Sequence, residues 1–176
     1  AGEIKVIAHF KGDKLEGPYL EFYDSGRASR EGAWAQGEQE GRWRHWHTGG
    51  QLALVAYFKQ GKRHGRSFSW YESCLPHEWG AYQEGEPEGP WRVWHMTGAR
   101  AEEGAYEGGV KQGEWAFYHV EGNKLEQGAM LNGLKEGTWR EWLHTGTLWR
   151  ELTYAQGLRQ GDDEEACEAA GGAWEV

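Results

Sequence analysis

The chain has 176 residues, a formal net charge of −9 and 38% hydrophobic residues, among them 12 Trp, 8 Tyr and 5 Phe. This length allows one domain, so little aliphatic content argues against a thick aliphatic core, and 28 Gly beside 4 Pro point to repeated turns, not disorder. The acidic balance argues against nucleic acid and anionic membrane as main partners, because both attract basic surfaces, and no run is apolar enough to cross a bilayer.

One interval organises the sequence. Gly17, Gly41, Gly65, Gly89, Gly113, Gly137 and Gly161 stand 24 residues apart with no insertion. In that frame Ala8 shares a column with Gly32, Gly80, Gly104 and Gly128, and Phe10 shares one with Trp34, Phe58, Tyr82, Tyr106, Met130 and Tyr154. Ile4–Phe10 therefore reads as the second strand of a repeat whose first strand is missing, and residues 1–13 form a half repeat that caps the array.

Six full repeats follow over residues 13–156, starting near Asp13, Gly37, Gly61, Gly85, Gly109 and Gly133. Each has a short run after its second glycine, such as Gly41 to His47, then a turn such as Asp24-Ser25-Gly26 or Met96-Thr97-Gly98. A second run ends in an aromatic, as in Gly104-Ala105-Tyr106, and a Gly-x-x-x-Gly link leads onward. Two short aromatic runs separated by Gly turns signal a β-hairpin. Gly recurs too often, and the runs are too short, for helices. Folding about the turns puts Trp91 opposite Gly104, Trp115 opposite Gly128 and Trp43 opposite Ala56. Each ring then covers backbone that a cross-strand small residue leaves bare. Folding about the links brings Tyr82 to Trp91 and Tyr106 to Trp115, which predicts a continuous aromatic ladder on one face.

A second aromatic column, Phe22, Trp46, Trp70, Trp94, Tyr118 and Trp142, lies three residues after the first. An odd offset puts it on the opposite face unless a bulge intervenes, and both alternatives stay open at this level. After Tyr154 only Gly157 and Gly161 keep the pattern, Asp163 occupies the Trp slot, and residues 162–176 read as a C-terminal cap or tail.

The stretch Glu103-Gly-Ala-Tyr-Glu-Gly-Gly-Val-Lys-Gln-Gly-Glu-Trp115, recurring in register over residues 4–161, resembles MORN-type repeat proteins, and the bacterial MORN-variant arrays of antitoxin or immunity components most of all. His64-Gly65 echoes the His-Gly step of the eukaryotic unit. The resemblance implies an all-β fold: an elongated, twisted antiparallel sheet with one hairpin per repeat. About 13 strands at about 4.8 Å each would span about 60 Å, with two broad faces and no deep pocket. It also implies scaffolding or partner binding and, in the bacterial branch, neutralisation of a toxin. Ser67 in the Trp slot, Cys74 in the turn-glycine slot and the tail after Gly161 depart from the pattern.

Residues suited to chemistry do not converge. His47, His95 and His119 share a column, but column neighbours are two strands, about 9–10 Å, apart, whereas zinc holds its ligands at about 2.0–2.1 Å; His45 and His47 are the least poor pair. No metal site or cofactor is expected. Cys74 has Glu72 and His77 nearby in sequence, but nothing indicates the base contact and oxyanion site a nucleophile needs. The column Glu78, Glu102 and Glu126 reads as a ladder of solvated charges, not a convergent carboxylate pair, and the Gly links lack the Lys-Ser/Thr of phosphate loops. The expectation is a non-enzymatic protein-binding module. Its candidate contacts are Trp46, Trp70, Trp94 and Trp142, with Arg44, Arg92 and Arg140 as rim residues and His77 and Trp79 in the divergent third repeat. The partner class that the resemblance suggests is a protein, such as a basic toxin or effector. Two other readings stand beside it. One is a secreted or surface structural protein with a Cys74–Cys167 disulfide, which requires an oxidising compartment. The other is a glycan binder using the Trp stripe. A cytoplasmic setting is favoured over a periplasmic or secreted one, and the oligomeric state is left open.

Overall fold

Two kinds of turn alternate along the chain, and together they fold it back on itself every twelve residues or so. The tight turns are Gln36-Gly37, Gln60-Gly61, Glu84-Gly85, Gly108-Gly109, Asn132-Gly133 and Gln156-Gly157, each with both residues at positive φ. That is the type I′ geometry whose twist matches flanking strands. The wider turns place Gly26, Gly50, Cys74, Gly98, Gly122 or Gly146 in the left-handed region and close with bonds such as Gly98 N–H to His95 O at 2.9 Å.

A computed structural model describes residues 4–161 of the protein. Its strands are β1 (Val6–Lys11), β2 (Lys14–Phe22), β3 (Ala28–Ala35), β4 (Glu38–Trp46), β5 (Leu52–Lys59), β6 (Lys62–Trp70), β7 (Pro76–Gln83), β8 (Glu86–Trp94), β9 (Arg100–Glu107), β10 (Val110–Tyr118), β11 (Lys124–Leu131), β12 (Leu134–Trp142), β13 (Leu148–Ala155) and β14 (Leu158–Arg159). They form one open antiparallel sheet in strict sequence order, so the fold is all-β and a hairpin array. Among the described residues there are 14 strands, in keeping with the expectation of about 13; the addition is the two-residue β14. The expected tail, 162–176, lies outside the described residues.

The 24-residue glycine has a local cause. Where β3 meets β4, Glu31 pairs with Arg44 and Ala33 with Glu40, so β4 takes four steps against two on β3. Gly41 sits in that detour at φ 68°, a conformation that side chains rarely adopt. The same two-against-four step recurs beside Gly17, Gly65, Gly89, Gly113 and Gly137.

The expected pairings hold: Trp91 is opposite Gly104, Trp115 opposite Gly128 and Trp43 opposite Ala56. The rings, however, cover the other neighbour. A Cβ added to Gly32, Gly80, Gly104 or Gly128 would lie under 3.0 Å from Trp43, Trp91, Trp115 or Trp139 respectively. Each Trp thus seals onto the preceding repeat, because the detour at the glycine shifts it toward that side. Trp43, Trp91, Trp115 and Trp139 are buried to 0%, 5%, 1% and 0% exposure in a single-layer sheet. Trp115 and Trp139 donate their Nε1–H to the Ala105 and Ala129 carbonyls at 3.1 and 3.0 Å.

The aromatic ladder on this core face is not continuous. One block joins Tyr19, Trp34, Trp43 and Phe58, with centroids 5.4–6.3 Å apart. A second runs Tyr82, Trp91, Tyr106, Trp115, Phe117, Trp139 and Tyr154. Between them stands Ser67, opposite Ala56 on the preceding strand β5. Ala56 has the Cβ that its column mates Gly32, Gly80, Gly104 and Gly128 lack, so no indole could lie there. Arg63 instead stacks on Tyr82 and donates to its hydroxyl at 2.8 Å.

Candidate protein-docking surface

The open question of the second aromatic column is answered by where the bulges fall. Between the two columns the first strand of each hairpin carries no extra residue; the insertion is on the second strand, as at Ser29, where Glu21 pairs with Arg30 and Phe22 with Ala28. Alternation therefore puts Trp43 and Trp46, or Trp91 and Trp94, on opposite faces. Contacts agree. Phe117 stacks on Trp115 on the core face, while Trp70 stacks on Phe68 and the Tyr118 hydroxyl donates to Glu103 on the second face.

On the second face one cross-strand row can be followed from β1 to β13: Ile7, Leu20, Glu31, Arg44, Val55, Phe68, Trp79, Arg92, Glu103, Ala116, Gln127, Arg140 and Glu151. The arginines expected as rim residues each pair with a glutamate: Arg44 with Glu31 at 3.2 Å, Arg92 with Glu103 at 3.8 Å and Arg140 with Glu151 at 2.6 Å. Between the first two pairs the row turns apolar at Val55, Phe68 and Trp79. Phe68, Trp70, Trp79 and Trp94 line a hollow of about 380 Å³ with Pro76, Glu78, Ser69 and Arg92. The Arg92 guanidinium lies 5.3 Å from the Trp79 ring, so it caps one wall of the hollow as well as pairing with Glu103.

Of the expected contact residues, Trp70, Trp79, Trp94 and Arg92 are brought together. Trp46 lines a separate hollow of about 490 Å³ with Ile7, Leu20, Ala28 and Glu31. Trp142 stands apart toward the C-terminal end, with Lys124 Nζ 5.4 Å over its ring. His77 is the inserted residue of its strand and turns away from the hollow: its Nδ1 is 3.2 Å from Ser69 Oγ and its ring 4.6 Å from Tyr71. Phe68 was not expected. Its signal was present in the column Leu20, Arg44, Phe68, Arg92, Ala116 and Arg140, where an aromatic replaces arginine just as Trp79 replaces glutamate.

The histidine column has a structural use. The Nε2 atoms of His47, His95 and His119 lie 2.8, 2.9 and 3.3 Å from the Trp70, Tyr118 and Trp142 carbonyls. Tyr23 and Tyr71, in the same column, donate to the Trp46 and Trp94 carbonyls. Each side chain staples one wide turn to the next repeat. Among the described residues no three His, Cys, Asp or Glu side chains gather around a common centre. Cys74 is exposed at φ 65°; its proposed bridge partner Cys167 lies outside the described residues.

The carboxylates divide by environment. Glu102 and Glu126 are paired with Lys111 and Lys135, which also lie over Trp115 and Trp139. In the third and fourth repeats this pairing fails on both sides: Leu54 stands where Arg63 would find glutamate, and Pro87 stands where Glu78 would find lysine. Burial raises the Glu78 carboxyl above its ordinary value, with His77 and Arg63 opposing. Burial also pushes Glu103 upward, but hydrogen bonds from Tyr118 and Arg100 overcome it and hold that carboxyl low.

The fold and this surface define a single-sheet hairpin-repeat protein with an aromatic hollow near its middle. The chain matches no protein-family model and no curated protein.

Proposed function

We propose that the chain is a non-enzymatic protein-binding repeat module that holds a basic partner protein against its second face, with the hollow of Phe68, Trp70, Trp79 and Trp94 as the anchor. One observation carries this reading: the Glu–Arg row gives way mid-sheet to three successive apolar side chains flanked by two tryptophans. Aromatic side chains beside a paired arginine are the composition of interface anchors. The net charge of −9 favours a basic partner through long-range attraction. The resemblance to bacterial MORN-variant arrays supports neutralisation of a toxin as the form this binding takes, with scaffolding as the broader alternative.

The test uses the full chain as bait in extract of its native source, with Phe68→Ala and Trp79→Ala beside it. The expected result is a basic protein retained by the wild type, released as salt rises, and lost from both variants. Equal retention by the variants, or an acidic partner, would sink the reading.

A further inference from the structure

The array pairs many of its rings with cations of its own. On the core face the Lys111 and Lys135 Nζ atoms lie 3.9 and 4.2 Å from the centres of the Trp115 and Trp139 rings. On the second face Lys124, from the strand before it, sits 5.4 Å over Trp142. One repeat earlier Arg100 lies beside the Tyr118 hydroxyl. Lys124 and Arg100 occupy the same position of the 24-residue frame. They pair with Tyr118 and Trp94 across their own hairpins, yet each leans toward the following repeat.

In the preceding repeats that position is apolar. Ala28, Leu52 and Pro76 stand there, one strand before Trp46, Trp70 and Trp94 respectively. Ala28 lines the hollow of Trp46, and Pro76 lines the hollow of Trp70 and Trp94. Among the described residues no lysine or arginine lies over these three rings. The nearby Arg92 is committed elsewhere, since it stacks on Trp79 and stands 3.8 Å from Glu103. Three consecutive repeats thus lack the cation that the next two carry. The chain has a net charge of −9, so its field draws cations from outside.

We propose that Trp46, Trp70 and Trp94 are a row of cation sites for lysine or arginine side chains of the partner, each taking the place that Lys124 takes over Trp142. The inference rests on the docking reading above and names the chemistry of its partner. An aromatic face attracts an ammonium or guanidinium through its quadrupole. Neighbouring sites are two strands, about 9–10 Å, apart. An α-helix rises about 10.5 Å in seven residues and brings the seventh back to nearly the same side. Residues of an extended strand at that separation, about three apart, point to opposite faces. The partner element that fits is therefore a helix with a basic residue at every seventh position. Sites joined on one scaffold reinforce one another, which selects such a helix over a free small cation.

The test follows the indole N–H signals of the full chain by NMR, assigned with single Trp→Phe variants. The probes are a helical peptide with lysine at every seventh position and its glutamine counterpart. The lysine peptide should move the Trp46, Trp70 and Trp94 signals and leave Trp142 in place; the glutamine peptide should move none. Lys124→Met should bring Trp142 into the response. Pro76→Lys supplies the missing cation, so it should silence Trp94 and weaken the lysine peptide by about two- to fivefold. Pro76→Gln, which removes the proline without adding charge, should leave both unchanged. No shift of Trp70 and Trp94, equal shifts with the glutamine peptide, or a Trp94 response that survives Pro76→Lys would overturn the inference. The extract experiment separates it from the docking reading. A basic protein lost from Phe68→Ala and Trp79→Ala but retained in full by Pro76→Lys would keep that reading and overturn this one.

Discussion

Repeats 3 (61–84) and 4 (85–108) share turns, strand lengths and register, yet they place their aromatic mass on opposite faces. Repeat 4 has Trp91 on the core face and the charged pair Arg92 and Glu103 on the second. Repeat 3 has Ser67 on the core face and Phe68 and Trp79 on the second. The loss is matched to its neighbour, since Ala56 fills the site where an indole would have to lie. The gain has no such structural explanation: an ion pair serves the same two positions in repeat 4. The difference separates rings that hold the array together from rings that the array displays.

Breaking that contrast at its strongest point means removing a core-face ring. Trp115→Ala should cost about 3–5 kcal/mol in denaturant unfolding, whereas Trp79→Ala, at a less deeply buried position, should cost about 1.5–2 kcal/mol. Gly104→Ala comes next. Its new Cβ would press on the Trp115 ring, at about 2–3 kcal/mol. In a Trp115→Ala background that penalty should fall close to zero, and full additivity would contradict the ring-over-glycine contact. His95→Ala removes one staple and leaves the Tyr118 carbonyl without it, so a thermal melt should report about 0.5–1.5 kcal/mol.

The smallest effect sharpens the comparison through pH. Glu103 has a lowered folded pKa, so its contribution is present above the ordinary carboxylate value and lost as pH falls through the folded one. Glu78 has a raised folded pKa, so its ionised form costs stability above that value and the cost disappears in acid. Glu103→Gln should therefore lower, and Glu78→Gln raise, the neutral unfolding midpoint. Neither should matter below the carboxylate range. Matching signs for the two variants at neutral pH would contradict the assignment.

Much of this was legible in the sequence because the 24-residue spacing has a direct mechanical cause in the left-handed glycine at each detour. The hairpins, the pairing of Trp91 with Gly104 and the divergence of repeat 3 all follow from that frame. The direction in which each ring leans did not, since it depends on which strand carries the two extra residues. Nor did the pairing of Arg44, Arg92 and Arg140 with glutamates on adjacent strands, or the grouping of Phe68 with Trp79. Those require the register on both sides of a strand, whereas the columns compare only equivalent positions. His77 was separated from Trp79 by a one-residue insertion that composition does not mark.

The central claim is that Phe68 and Trp79 are displayed and not structural. Phe68→Arg with Trp79→Glu writes the second face of repeat 4 into repeat 3. Equilibrium denaturation of this double variant should give an unfolding free energy within about 1 kcal/mol of the wild type. A loss of about 3–5 kcal/mol, as for a buried core ring, would show that the pair holds the sheet together and contradict the account.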